Sequence, residues 1–408
     1  MTLLADRVYG PFFVGNLVSN CGNWIHNVAA AVVVFELTDS AVAVGAVTAC
    51  LWIGSLVLQP WAGALTDRYD RRRMLIAGQS ISLLGAIAVA VPVLAIGAED
   101  LSGPWPIYAG TLVIGLGVAF SMPAMQALIP ALVPDRDLDR AIALNAVSFN
   151  LARAVGPAIA GLILISADAS VAFAVNVVSF TVLIAVLVAI RPRFRQEPTP
   201  GDTSVRAGLE WVRADRRAVV LLASMVAIGF ATDPINTLTP PIAELVGDGE
   251  GLVGLMVAAF GAGAVCAAVF VERVRKRTGR ERAGTIGLTV LGGAIGLFAF
   301  SASEAHALAA MALAGAGFLV AVTSVTTQLQ ERVPDALRGR VLALWGVAFL
   351  GTRPISAALD GAIADVVSPR AAALAMAGAA LAAALVQSRE ATRPAAPEEP
   401  ALAGTECC

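Results

Sequence analysis

Apolar segments of roughly 20 residues or more follow one another through this chain with only short polar breaks between them. They cover about 10–35, 41–65, 74–97, 106–129, 140–166, 170–190, 217–242, 251–271, 283–302, 306–328, 340–366 and 369–388. A helix of that length crosses the hydrocarbon core of a bilayer. Inside lipid the backbone must satisfy its own hydrogen bonds, so a run of this kind has to be helical. The composition excludes an ordinary soluble domain: 58% of residues are hydrophobic and 14% charged, with a mean hydropathy of +0.78, against about 25% charged in soluble domains. Two histidines and five cysteines leave little room for a metal site, and no cofactor is expected. Cys21, Cys50 and Cys266 lie in apolar runs as small hydrophobes. The Cys407-Cys408 ending lacks the order of a lipidation signal.

The charges fix an orientation. With the N-terminus inside, nearly every Lys and Arg falls on that side: Arg7, the group at 68–73, Arg136 and Arg140, the 191–217 segment, the 273–282 segment, 332–340, Arg389 and Arg393. Arg370 lies on the other side, and Arg153 and Arg353 fall within spans. The positive-inside rule then predicts twelve transmembrane helices with both termini cytoplasmic.

The chain repeats itself at a shift of 200 residues. Val133-Pro134-Asp135 meets Val333-Pro334-Asp335, and Arg140 meets Arg340. Further along, Phe149 meets Phe349, Arg153 meets Arg353 and Gly161 meets Gly361. Two like six-helix bundles, residues 1–190 and 217–388, are expected, an architecture of secondary transporters. Between them, 191–216 is rich in Pro and Arg and ends in an amphipathic piece. That piece is read as a surface helix with Leu209, Trp211 and Val212 turned toward lipid. Residues 389–408 are expected to form a disordered cytoplasmic tail.

One stretch interrupts the apolar pattern sharply, "GALTDRYDRRR" from Gly63 to Arg73. The arginines pin a short turn to the inner face. Gly63 suits a close approach of backbones at the end of the second span. Asp67 is not needed for topology. It could accept hydrogen bonds from the N-terminus of a neighbouring helix and pair with Arg68 or Arg71, a latch that holds while the inner side is closed. Gly63, Asp67, Arg68, Arg71 and Arg72 together resemble the signature loop of the major facilitator superfamily, with a weaker echo in "ERVRKRTGR" from Glu272. "RAVGPAIAG" from Arg153, containing Gly156, Pro157 and Gly161, resembles the fifth-helix motif of its exporting antiporters, with Ala160 in place of a glycine. "FELTDSAVAVG" from Phe35, "GLEWVR" from Gly208 and "VPDALRGRVLALW" from Val333 resemble its enterobactin and macrolide exporter branch.

Several polar residues inside spans are candidates for transport. Asn16, Asn20, Asn23 and Asn27 share a strip about 60° wide on a helical wheel; such a strip faces either a wet cavity or a neighbouring helix that its amides bond. Trp24 lies beside it. His26 is either a proton carrier or a packed hydrogen-bonding residue. Arg153 and Arg353 are each 13 residues beyond a basic partner at the inner face, about 20 Å along a helix. Near mid-membrane they need a carboxylate, carbonyls, water or an anionic or catecholate substrate. Asp233, in "ATDPINTLTP", precedes a helix-kinking proline and is the leading candidate for proton coupling, ahead of Asp360 and Glu36.

The reading is an all-α inner-membrane exporter of a small amphipathic molecule, siderophore-like or drug-like, driven by proton antiport with alternating access and acting as a monomer. Proton-coupled import of a small metabolite by the same fold is the alternative. No phosphate-binding loop of the Walker type occurs, nor any reactive constellation of an enzyme or nucleic-acid-binding pattern.

Overall fold

The computed structural model describes residues 3–191, 205–247, 250–334 and 337–391. The helices are α1 (Tyr9–Thr38), α2 (Ala41–Arg68), α3 (Arg71–Ile96), α4 (Trp105–Leu132), α5 (Leu138–Ser166) and α6 (Ala169–Ala189). They continue as α7 (Val205–Ala214), α8 (Arg216–Thr232), α9 (Pro234–Thr237), α10 (Thr239–Val246), α11 (Glu250–Thr278) and α12 (Arg280–Ala299). The last are α13 (Glu304–Arg332), α14 (Arg338–Leu350), α15 (Arg353–Val366) and α16 (Pro369–Ala391). No strand occurs among the described residues.

Ten helices among the described residues are long and apolar enough to cross a bilayer. Two of the twelve expected spans fall outside that measure for local reasons. α1 carries the four asparagines and His26, which lower its hydropathy. The eleventh span is broken between Leu350 and Arg353 into α14 and α15, each too short alone. The seventh span is also broken, at Asp233-Pro234, where Pro234 has no N–H to donate into the preceding turn, and again at Leu238, ahead of Pro240 and Pro241, which lack theirs.

α1 to α6 pack chiefly on one another, as do α8 and α11 to α16. The two sets meet along α5 against α11 and α2 against α15. Those contacts concentrate at the face opposite the chain ends, here the distal face; the face bearing Tyr9 and Ala391 is the terminal face. On the distal side, backbone meets backbone. A Cβ on Gly254 would lie 2.5 Å from Gly161 Cα, one on Gly361 2.6 Å from Val42 Cα, and one on Gly45 2.5 Å from the Ala357 carbonyl oxygen.

Two sequence expectations need correction. Gly63 neither ends its span nor meets a neighbour: α2 runs on to Arg68, and nothing lies within 4 Å of where a Cβ would stand. The amphipathic α7 packs against α14 rather than turning its apolar side to lipid, with Val212 buried in the core, Trp211 packed against it and Gly208 against Arg340. A protein surface competes with lipid for the same apolar stripe, and the stripe alone does not say which covers it.

Candidate functional site

A cavity of about 400 Å³ lies between the two sets of helices, within the range of small-molecule sites. Asn16, Asn20, Asn23 and Asn27 all line it, with Trp24 beside them, Arg153 from α5 and Arg353 from α15. The strip serves as both wall and brace. The Asn16 amide donates to Asn145 Oδ1 on α5 at 2.9 Å, and Asn20 donates to Asn16 Oδ1 at 3.2 Å. Asn23 and Asn27 are half-buried on the same wall. Gly156 allows α1 this close to α5, since a Cβ there would stand 2.7 Å from Trp24 Cβ. Pro157 and Gly161 lie where α11 approaches α5 instead, the Pro157 carbonyl and the Gly161 backbone standing against Gly254.

The paired arginines reach across the molecule in opposite directions. Arg153, 3% exposed, projects from α5 among Trp24, Phe260 and Phe318, its Cζ 5.3, 4.5 and 4.5 Å from their ring centroids. Two of those rings belong to α11 and α13. Arg353 projects from α15 onto Trp52 of α2 at 4.8 Å and Phe349 at 5.5 Å. Phe318 and Phe349 stack at 6.2 Å and join the two aromatic sites. Ring faces stabilise a cation without neutralising it. Arg153 forms no ion pair among the described residues, and its Nε has no hydrogen-bond partner.

Asp233 and Asp360 sit behind Arg353 rather than on the cavity wall, both buried. Thr237 donates from its hydroxyl to Asp233 Oδ2 at 2.8 Å; Asp233 Oδ1 and both oxygens of Asp360 have no partner among the described residues. The structure brings these two carboxyls together with Arg353. Sequence spacing ranks Asp360 below Asp233, because only the two helix breaks make them neighbours.

His26 lies elsewhere. It is buried inside the first set of helices, its Nε2 3.2 Å from Thr111 Oγ1 and its ring edge-on to Phe173, and it does not line the cavity. In the charged turn, Asp70 caps α3 by accepting from the Arg73 N–H at 2.8 Å. Arg71 donates to the Ala127 carbonyl, and Arg72 donates to the Leu187 and Val188 carbonyls at the end of α6. Arg68 is exposed. The side chain of Asp67 lies outside the described residues. Gln79, Gln126 and Asn236 also line the cavity; each is a single amide on its own helix, without a periodic pattern to mark it.

The family model described as transmembrane secretion effector matches residues 1–403. The chain is similar to the staphyloferrin A transporter of Staphylococcus aureus, 27% identical over 276 residues, covering 66% of this chain and 68% of that one. It is similar to the enterobactin exporter EntS of Escherichia coli O1:K1, 25% identical over 383 residues, covering 90% of this chain and 88% of that one. Its fold is similar to that of a bacterial homologue of the human lysosomal transporter Spinster, solved inward-facing and unoccupied. The TM-score is 0.76 at 11% identity over 94% of this chain and 98% of that one.

Proposed function

The chain belongs to the transmembrane secretion effector family of the major facilitator superfamily, and from that premise we propose that it exports a small amphipathic molecule carrying an acidic or catechol group. The cavity between the two sets of helices is its substrate chamber. The observation that carries this is Arg153. A buried guanidinium faces the chamber, held by three aromatic rings and left without a carboxylate among the described residues, and a cation so placed favours an anionic or electron-rich aromatic ligand. The asparagines supply donors and acceptors for the polar rim of the same molecule. Siderophores, which the names of two relatives specify, fit that chemistry.

Transport proceeds by alternating access, residues 1–190 rocking against 217–388 as a monomer in the inner membrane. The terminal face is cytoplasmic, on the distribution of arginines. The conformation described here then opens inward, since its close backbone contacts lie on the distal side. Asp67, Arg68, Arg71 and Arg72 with Gly63 latch the opposite, outward-open state. Asp233 couples the cycle to the proton gradient, because a buried acid at a helix break can change charge as access changes.

Everted membrane vesicles from cells producing the full chain, given enterobactin and staphyloferrin A as probes under an imposed pH gradient, test this reading. Accumulation in everted vesicles that a protonophore abolishes is expected. Uptake confined to right-side-out vesicles would establish import instead, and accumulation indifferent to the protonophore would remove proton antiport.

A further inference from the structure

We propose that Asp233 and Asp360 form one proton-holding site, two carboxyls sharing a single proton beside Arg353. The inference rests on the proton-coupled reading above and names the groups that carry the proton. Both side chains are buried, at 2% and 0% exposure, and neither lines the cavity, whereas Arg353 does. Buried polar atoms are ordinarily hydrogen-bonded. Here, among the described residues, three of the four carboxyl oxygens lack a partner, and so does Arg353 Nε. Two carboxylates and one guanidinium would leave a net negative charge in a low-dielectric setting, which is costly. One proton on the pair makes the trio neutral and supplies an O–H that can donate to an orphaned oxygen.

Apart from Arg153, the charge has no other source of compensation among the described residues. α2 packs against both breaks and carries no ionisable charge between Ala41 and Asp67; its Cys50 faces Tyr108 of α4. On α1, His26 is engaged by Thr111, and Glu36 stands at the distal end. Glu244 of α10 and Glu250 of α11 are also distal. α8, α14 and α16 bear charges only near their ends. Arg153 lies beyond Arg353, close enough to feel its charge.

Position gives the pair its consequence. Asp233 ends α8 at the proline break, and Asp360 lies two turns into α15 after the second break. The breaks pack together: a Cβ on Gly229 would stand 2.5 Å from Thr352 Oγ1 and 3.1 Å from the Phe349 carbonyl oxygen. Taking up or losing the shared proton changes the charge where both helices bend, and changes the pull on Arg353, which lines the chamber.

Infrared difference spectroscopy of the purified full-length protein in lipid nanodiscs, stepped from acid to alkaline buffer without substrate, reads this directly through the protonated-carboxyl stretch. The wild type should show one titrating buried carboxyl. Asp233→Asn and Asp360→Asn should each abolish it entirely, since one carboxylate and Arg353 already balance, and the double variant should match either single one. Arg353→Met should raise the signal about twofold, two acids then needing two protons. A signal halved by each variant, or one that Asp360→Asn leaves intact, overturns the shared site. Should Asp360→Asn fail to fold, Asp360→Glu must still move the band frequency, and an unmoved band overturns the proposal equally. The measurement needs neither substrate nor gradient, so its failure and that of the export assay are separable.

Discussion

Asp365 of α15 accepts a hydrogen bond from the backbone N–H of Ala41, the first residue of α2, at 2.7 Å. The same carboxylate accepts from the Ser40 hydroxyl at 2.6 Å and the Val42 N–H at 3.2 Å. Ser40 Oγ in turn caps the helix by accepting from the Ala43 N–H. A carboxylate at a helix N-terminus meets unsatisfied donors and the positive end of the helix dipole. Because α2 and α15 belong to different halves, this contact exists only while the distal face is closed. Asp365→Asn should therefore release that face. At an exposed helix N-terminus such a carboxylate contributes about 0.3–1 kcal/mol, enough to change the ratio of the two states up to about fivefold. A cysteine at Val44, buried on the cavity wall, reports it: labelling by an impermeant maleimide from the distal side should rise. Unchanged labelling would mean that the contact follows closure without stabilising it.

The glycine contact between α5 and α11 should act in the same direction. Gly254→Ala places a Cβ 2.5 Å from Gly161 N and Cα and 2.7 Å from the Pro157 carbonyl oxygen, all backbone that cannot rotate away. Overpacking of this kind costs about 1–3 kcal/mol, and it falls on the distally closed state alone if the halves separate there. More distal labelling of the Val44 cysteine is expected, with thermal stability in detergent lowered only when an inward-open state is enforced. Gly378→Ala, where nothing lies within 4 Å, is the control and should change neither measurement.

Arg153 offers a test of substrate chemistry. Lysine at that position keeps the charge but not the planar guanidinium that lies among Trp24, Phe260 and Phe318. Arg153→Lys should weaken an acidic or catechol substrate by about tenfold, the equivalent of 1.4 kcal/mol, and Arg153→Met by considerably more. Uptake of a neutral amphipathic dye by the same vesicles should be little affected. Equal losses for both ligand types would make Arg153 a packing element of the two halves and nothing else.

The helices are legible in the sequence because lipid leaves a backbone only one economical conformation, and a 200-residue repeat ties Arg153 to Arg353 before any coordinates. The asparagine strip is legible for a similar reason: a spacing of three and four residues on one helix needs no partner to be seen. What is not legible depends on which helix stands opposite. Asp360 gains its importance from two helix breaks that put α15 beside α9. Asp365 acts through the backbone of residues more than 300 positions away. Gly63 reads as a contact glycine, yet nothing lies within 4 Å of where its Cβ would stand. A transporter populates more than one arrangement, so a motif built for one of them has no partner in another.

The two ends of α2 should therefore act against each other. Asp365 holds the distal end of the helix to the second half, while its other end carries Asp67, proposed to latch the terminal face when it closes. If both devices bias one equilibrium between two states, their losses must have opposite signs. Asp67→Asn should lower labelling of the Val44 cysteine from the distal side, and Asp365→Asn should raise it. The two contacts lie at opposite ends of a 28-residue helix, about 40 Å of rise, so their free energies should add in the double variant. Labelling of that variant should return toward the wild-type value. If the two single variants shift labelling in the same direction, the halves do not exchange one closed end for the other, and the rocking description of this chain is wrong.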